Sequence, residues 1–175
     1  MSNDEGITAE LYWEAAEHGI AEAQYFLGIC YVNGYGVRQD IEVAAEWFQK
    51  AAKQEIAGAQ YFLGLCYEKG VGVSQDMEVA VELYRDAAYQ GIADAQYALG
   101  LCYENGNGVP MNARIAVDWY RKAAKQGLID AQYALGMCYE NGNGVLQDKR
   151  IAGLWFEKAV KQGCIPAQKM LHRRY

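Results

Sequence analysis

The chain has 175 residues, of which 52% are hydrophobic, 22% charged and only two proline, a composition that excludes a disordered or collagen-like chain and supplies material for a core. Its formal net charge of −6 argues against a general grip on nucleic acid, which needs a basic face against the phosphates. No run approaches the roughly 18 consecutive apolar residues of a membrane span, and the start, Met1 Ser2 Asn3 Asp4 Glu5, is acidic where a secretory signal is basic and then apolar, so a soluble, cytoplasmic chain with no membrane partner is expected.

The first predicted element is a single helix over 4–19, with Asp4 as its N-cap. From Ala21 onward the chain repeats with a period of 36: Cys30, Cys66, Cys102 and Cys138 are evenly spaced, and so are Leu27, Leu63, Leu99 and Leu135. Four full repeats follow, 21–56, 57–92, 93–128 and 129–164, flanked by half repeats at 4–20 and 165–175. Positions within a repeat are numbered here from 1 at Ala21.

Each repeat opens with an apolar stripe at positions 3, 6, 7 and 10, as in Ala95, Ala98, Leu99 and Cys102, the spacing of a helix with one buried face. This is helix A. It is expected to stop at glycines in positions 14 and 16, such as Gly106 and Gly108, which accept positive φ. Position 20 then holds Asp40, Asp76, Asn112 or Asp148, good N-caps for a second stripe such as Ile115, Ala116, Trp119, Tyr120 and Ala123. This is helix B, and Gly91, Gly127 or Gly163 closes it at position 35. Glu55 stands at that position in the first repeat, where a strained or differently closed turn is expected. A pair of helices cannot bury its own apolar face, so successive pairs must stack. The expected fold is all-α, a solenoid or α/α superhelix of 36-residue helix-turn-helix repeats forming one domain over 1–175. At the C-terminus, His172, Arg173 and Arg174 replace the Gly, aliphatic and Cys of positions 8 to 10, which suits a last helix with nothing stacked upon it.

The string Leu99 Gly100, Tyr103, Gly106, Gly108 Val109, Ala116, Trp119 Tyr120, Lys122 Ala123 Ala124 and Gly127 resembles the Sel1-like repeat, a relative of the tetratricopeptide repeat, in four copies covering essentially the whole chain. The resemblance implies a scaffold that holds other proteins together. In the tetratricopeptide relative, helix A lines a concave surface, and positions matching 2, 5, 9, 12 and 13 meet ligands. Carried onto this chain, the implied partner-binding residues are Tyr25, Tyr61, Tyr97 and Tyr133, with Ile29, Leu65, Leu101 and Met137 beside them. Glu68, Glu104, Glu140, Asn105 and Asn141 are implied at their ends. A surface of this composition suits a peptide or protein segment, including a basic one. The tyrosine ladder has a second reading, in which each ring only packs between neighbouring A helices.

Other features point away from chemistry. With two Ser, one Thr and two His, both His near a chain end, nucleophilic catalysis and His-based metal sites lack material, so no enzyme, cofactor or metal is expected. Helices in successive repeats lie about 8–10 Å apart, beyond the roughly 7 Å Cα reach of a disulfide; the cysteines read as buried small hydrophobes, with Cys164 the most exposed. The Asn105 Gly106 Asn107 Gly108 loop lacks the strand and the Gly-Lys-Ser/Thr context of a phosphate cradle. Two alternatives stand beside the scaffold: a hydrolase or cell-wall-binding activity like that of cysteine-rich relatives, and an engineered array without a ligand, suggested by 24 identities in 36 positions between the last two repeats. Residues 1–92 carry 15 acidic and 5 basic side chains, and 93–175 carry 7 and 11, so an acidic half can steer a basic partner. Trp13 sits where later repeats place Gln49, Arg85, Arg121 and Glu157; it serves either self-association through the terminal helices or cover for the incomplete end of the stack.

Overall fold

The computed structural model describes residues 3–172, with side chains described from Ala9 onward; the expected Asp4 cap and the substitutions at Arg173 and Arg174 fall outside the described side chains. Ten helices and no strand are found among the described residues. They are α1 (Asn3–Glu17), α2 (Ala21–Asn33), α3 (Ile41–Ala52), α4 (Ala57–Lys69), α5 (Met77–Tyr89), α6 (Ala93–Asn105), α7 (Ala113–Lys125), α8 (Ile129–Asn141), α9 (Lys149–Lys161) and α10 (Ile165–His172). The expected helix-turn-helix repeat is therefore observed, with helix A as α2, α4, α6 and α8 and helix B as α3, α5, α7 and α9. The chain divides into two compact halves, Met1–Gln90 and Gly91–Tyr175.

Local chemistry sets the helix ends. Gly34, Gly70, Gly106 and Gly142 take φ between 67° and 77° and donate their N–H groups to the carbonyls of Cys30, Cys66, Cys102 and Cys138. Asp40, Asp76 and Asp148 each accept two backbone N–H groups at the start of helix B, and Asn112 accepts one.

Packing within a repeat depends on one close approach. At position 8 are Gly28, Gly64, Gly100 and Gly136, and a Cβ on any of them would lie 2.5–2.6 Å from a ring carbon of Phe48, Tyr84, Tyr120 or Phe156. Helix B thus lays its position 28 ring where helix A has no side chain. In the first half, Ala44, Ala45, Phe48 and Ala51 meet Ala59, Leu63 and Cys66 in one cluster. In the second, Ala116, Val117, Tyr120 and Ala123 meet Ala131, Leu135 and Cys138. Each cluster joins helix B of one repeat to helix A of the next, so the apolar faces are shared between repeats as the stacking argument requires.

The stripe of helix A differs from the expected one in a single register. Position 6 lies at the edge of the core: Phe26 is 43% exposed, and Phe62, Ala98 and Ala134 are half-buried, with Phe62 and Ala134 packed against the clusters of their halves. Its place is taken by the glutamines of position 4, Gln24, Gln60, Gln96 and Gln132, all buried. Their burial is possible because each is hydrogen-bonded. Gln54, Gln90, Gln126 and Gln162, at the end of helix B, donate to them over 2.8–3.0 Å and also to the backbone carbonyls of Gly19, Glu55, Gly91 and Gly127. Gln24 and Gln132 donate in turn to the carbonyls of Ala16 and Ala124 in the preceding helix. A buried amide without such partners would cost about 1–3 kcal/mol. The polar ladder therefore runs beside the apolar one and ties successive repeats together.

Glu55 takes φ 64°, the left-handed region that Gly19, Gly91, Gly127 and Gly163 occupy at the same position. The turn closes as in the other repeats, at the expense of strain. Glu55→Gly is expected to raise stability by up to about 1 kcal/mol, read as a higher denaturant midpoint at unchanged m-value; a neutral or destabilising outcome would show that the turn is not strained.

The five cysteines are free, four of them buried and Cys164 half-buried. Burial raises the pKa of the Cys30 and Cys66 thiols; burial and then the charge of Glu104 push Cys138 from about 9 up to about 11. As pH rises, the unfolded chain ionises the Cys138 thiol before the folded one does, so its contribution is complete below about pH 9 and is lost toward pH 11, and Cys30 and Cys66 act in the same direction. Melting followed by circular dichroism is expected to fall across that interval, with a shallower fall for Cys138→Val.

Candidate functional site

The flank of helix A beside the core stripe carries the candidate residues. The position 5 tyrosines are all half-buried, and three of them share one local contact: the ring centroid of Tyr61 lies 5.9 Å from that of Tyr84, Tyr97 lies 5.6 Å from Tyr120, and Tyr133 lies 5.8 Å from Phe156. Tyr25 lies 6.2 Å from Phe48 and also covers Gly58 of the next repeat, whose missing Cβ leaves room for the ring. Each tyrosine therefore leans, with its ring tilted by 39–44°, on the position 28 aromatic of its own helix B and leaves part of itself accessible.

Position 9 follows the same course. Ile29, Leu65, Leu101 and Met137 are half-buried; Ile29, Leu101 and Met137 pack against the core clusters of their halves. In the second half, Tyr97 and Leu101 of α6 pack against the cluster that α7 and α8 share, which contains Tyr120, Ala131, Leu135 and Cys138. Burial, the charge of Asp130 and the charge of Glu104 all raise the pKa of the Tyr97 phenol, which places carboxylates from both helices around one ring.

Several acids and amides of positions 12 and 13 have side-chain partners within the chain. Glu68 accepts a hydrogen bond from the Tyr84 hydroxyl, and Glu104 accepts one from Tyr120 at 2.7 Å. Both phenols are fully buried, and burial and Glu104 hold Tyr120 far above the usual phenol range. The side-chain amides of Asn33 and Asn105 donate to the carbonyls of Ile29 and Leu101, extending the end of helix A. Asn141 is exposed, and Glu140 is half-buried with its carbonyl accepting from Gln147. The sequence does not announce the Tyr–Glu link: at the same spacing of 16 the first repeat has Val32 with Phe48 and the fourth has Glu140 with Phe156.

No group of three or more His, Cys, Asp or Glu side chains able to hold a metal converges among the described residues. None of their helices is long and apolar enough to cross a membrane.

Paired helices repeated every 36 residues, with glycine against an aromatic ring inside each pair, define a class of all-α helical-repeat proteins. Within that class the chain belongs to the Sel1 repeat family, whose model matches residues 21–55, 57–92, 93–128 and 129–164. It is similar to a protective antigen of uropathogenic Escherichia coli that displays an SLR fold, with 40% identity and a TM-score of 0.88 over 93% of this chain and 35% of that one. It is similar to a Sel1 repeat protein from Oxalobacter formigenes, with 36% identity and a TM-score of 0.87 over 95% of this chain and 66% of that one. Cysteine-rich protein B of Helicobacter pylori is more distant, at 25% identity and a TM-score of 0.59 over 75% of this chain and 95% of that one. The chain thus spans about a third of the first of these proteins and 66% of the second. Comparison with curated proteins gives no match. The general role of the family is that of a protein-interaction scaffold.

The Tyr120–Glu104 bond yields a paired expectation. Glu104→Gln keeps an acceptor for the buried hydroxyl and is expected to stay close to the parent in thermal stability. Glu104→Leu removes the acceptor and is expected to lose about 1–3 kcal/mol. Equal stability of the two variants would show that the carboxylate does not hold the phenol.

Proposed function

We propose that the chain acts without a chemical step, as a scaffold that takes a basic segment of another protein, extended or helical, on the flank of its A helices. The observation that carries this reading is the surface of α6 and α8 in the second half. Tyr97, Leu101, Tyr133 and Met137 form a half-buried aromatic and aliphatic strip, and Asp94, Glu104, Asp130 and Glu140 supply carboxylates on the same two helices. Rings already held by Tyr120 and Phe156 lose little freedom on binding, which favours affinity per contact. Carboxylates at the margin favour a cationic partner in association rate and register. In the first half, Tyr25, Ile29, Tyr61, Leu65 and Glu68 occupy the same positions on α2 and α4, with Gly58 and Val32 in place of two acids. That difference makes the first flank less acidic, suited to a more apolar segment.

The cysteine-rich reading has less support. Each of the first three repeats holds a single cysteine, and the thiols are free.

The test uses the charges, because the tyrosines also pack. Amphipathic peptides rich in Lys and Arg, and matched peptides rich in Glu, are titrated against the full chain by fluorescence anisotropy. The basic set is expected to bind preferentially and to weaken with salt. Asp94→Lys with Asp130→Lys, both exposed, is expected to weaken it at least about tenfold while helicity and melting stay unchanged. Equal binding of both peptide sets, or an unaltered affinity in the double variant, would overturn the reading.

A further inference from the structure

Helix B carries a second pattern, on its outer face and away from the A flank. Position 26 is acidic in α3, α5 and α7, as Glu46, Glu82 and Asp118, but is Leu154 in α9. Leu154 is 59% exposed, and it lies with Ile151 and Trp155 in a shallow recess of about 320 Å³ bordered by Lys158, Lys161 and Glu157. The Lys158 ammonium sits 4.2 Å from the Trp155 ring centroid. Trp47 and Trp119, at the same position in α3 and α7, are 5% and 7% exposed, whereas Trp155 is only partly covered. The result is an apolar patch with a basic ridge, on a helix whose counterparts carry an acid at its centre.

The opposite chemistry lies on α1. Residues Glu10, Glu14 and Glu17 of that helix wall a recess of about 630 Å³, with Trp13 on its side. Trp13 is 42% exposed even though its ring meets Tyr31 and Trp47 at 6.1 and 6.0 Å, and Leu11 is 64% exposed. One side of Trp13 thus covers the first repeat, and the rest of the ring is open. Glu14 and Glu17 occupy positions 30 and 33 of the repeat frame, and Lys158 and Lys161 occupy those same positions in α9. The two ridges thus have equal spacing and opposite sign. The surrounding charge agrees, because residues 1–90 carry 15 acidic and 5 basic side chains and residues 91–175 carry 7 and 11.

We propose that the α9 patch of one chain docks on the acidic α1 recess of a second copy. Leu154 and Trp155 supply the apolar contact, Lys158 and Lys161 face Glu14 and Glu17, and Trp13 closes the side. Two different surfaces meet, so the contact is head to tail, and each added copy leaves one surface of each kind open. Association of this kind grows with concentration and weakens with salt, because the charged margins are exposed and screened. Its residues are distinct from those of the α6 and α8 flank, so substitutions separate it from the proposed peptide binding.

Sedimentation velocity of the full chain over a concentration series, at low and high salt, tests the idea. Mass is expected to rise with concentration at low salt and to fall back at high salt. Leu154→Glu restores the acid found in the other repeats, and Glu14→Lys with Glu17→Lys reverses the other ridge. Each variant alone is expected to weaken association at least about tenfold with helicity and melting unchanged. An equimolar mixture of the two variants retains one intact patch and one intact recess, so it is expected to form dimers and nothing larger. Three outcomes would overturn the proposal: a monomer at every concentration, variants that associate like the parent, or loss of association in Leu154→Glu with none in the α1 variant, which would mean that two α9 patches meet each other.

Discussion

The contact on which the rest of the molecule depends is the ring of position 28 lying against the bare Cα of position 8. A methyl group there would sit inside the van der Waals surface of Phe48, Tyr84, Tyr120 or Phe156, so the two helices of each repeat can reach their observed separation only with glycine. That separation puts Leu at position 7 and Cys at position 10 into the shared core, and it tilts positions 5 and 9 onto the rim. The same ring then serves as a floor for the position 5 tyrosine. One steric fact therefore determines both the core of the repeat and the partial exposure of the candidate surface.

Polar groups reinforce this geometry. The glutamine ladder satisfies buried amides and end-of-helix carbonyls together, and it recurs in all four repeats with bond lengths that barely vary. The Tyr–Glu bonds are more selective, since they occur where helix B supplies a phenol. In those repeats a carboxylate that lines the A flank also holds a core side chain. Glu104 is thus bound to the fold and is less free to reorganise around a ligand than Asp94 or Asp130. A preorganised acid of this kind favours selectivity over adaptability, because it cannot turn away from an unsuitable partner.

The distribution of charge gives the two halves different surroundings on a common scaffold. Repeats that share most of their glycines, caps and glutamines differ at exposed positions such as 18, 22 and 26, where nothing in the core constrains the choice. A repeat protein varies its contacts in this way without disturbing its nearest-neighbour stability.

The period, the helix boundaries, the glycine turns and the Asp or Asn caps were all legible in the sequence, because each depends on interactions within a few residues along the chain. Glu55 was legible for the same reason, since a left-handed turn is a local property. The burial of Gln24, Gln60, Gln96 and Gln132 was not, because a polar side chain reads as solvent-facing until its partner 30 residues away is brought beside it. Nor was the link between Glu104 and Tyr120, nor the floor beneath the tyrosine ladder, since pattern alone does not say which ring lies under which. Local chemistry determined the helices and their ends, whereas only the packing of one helix on another decided which polar groups became core and which aromatic faces stayed open.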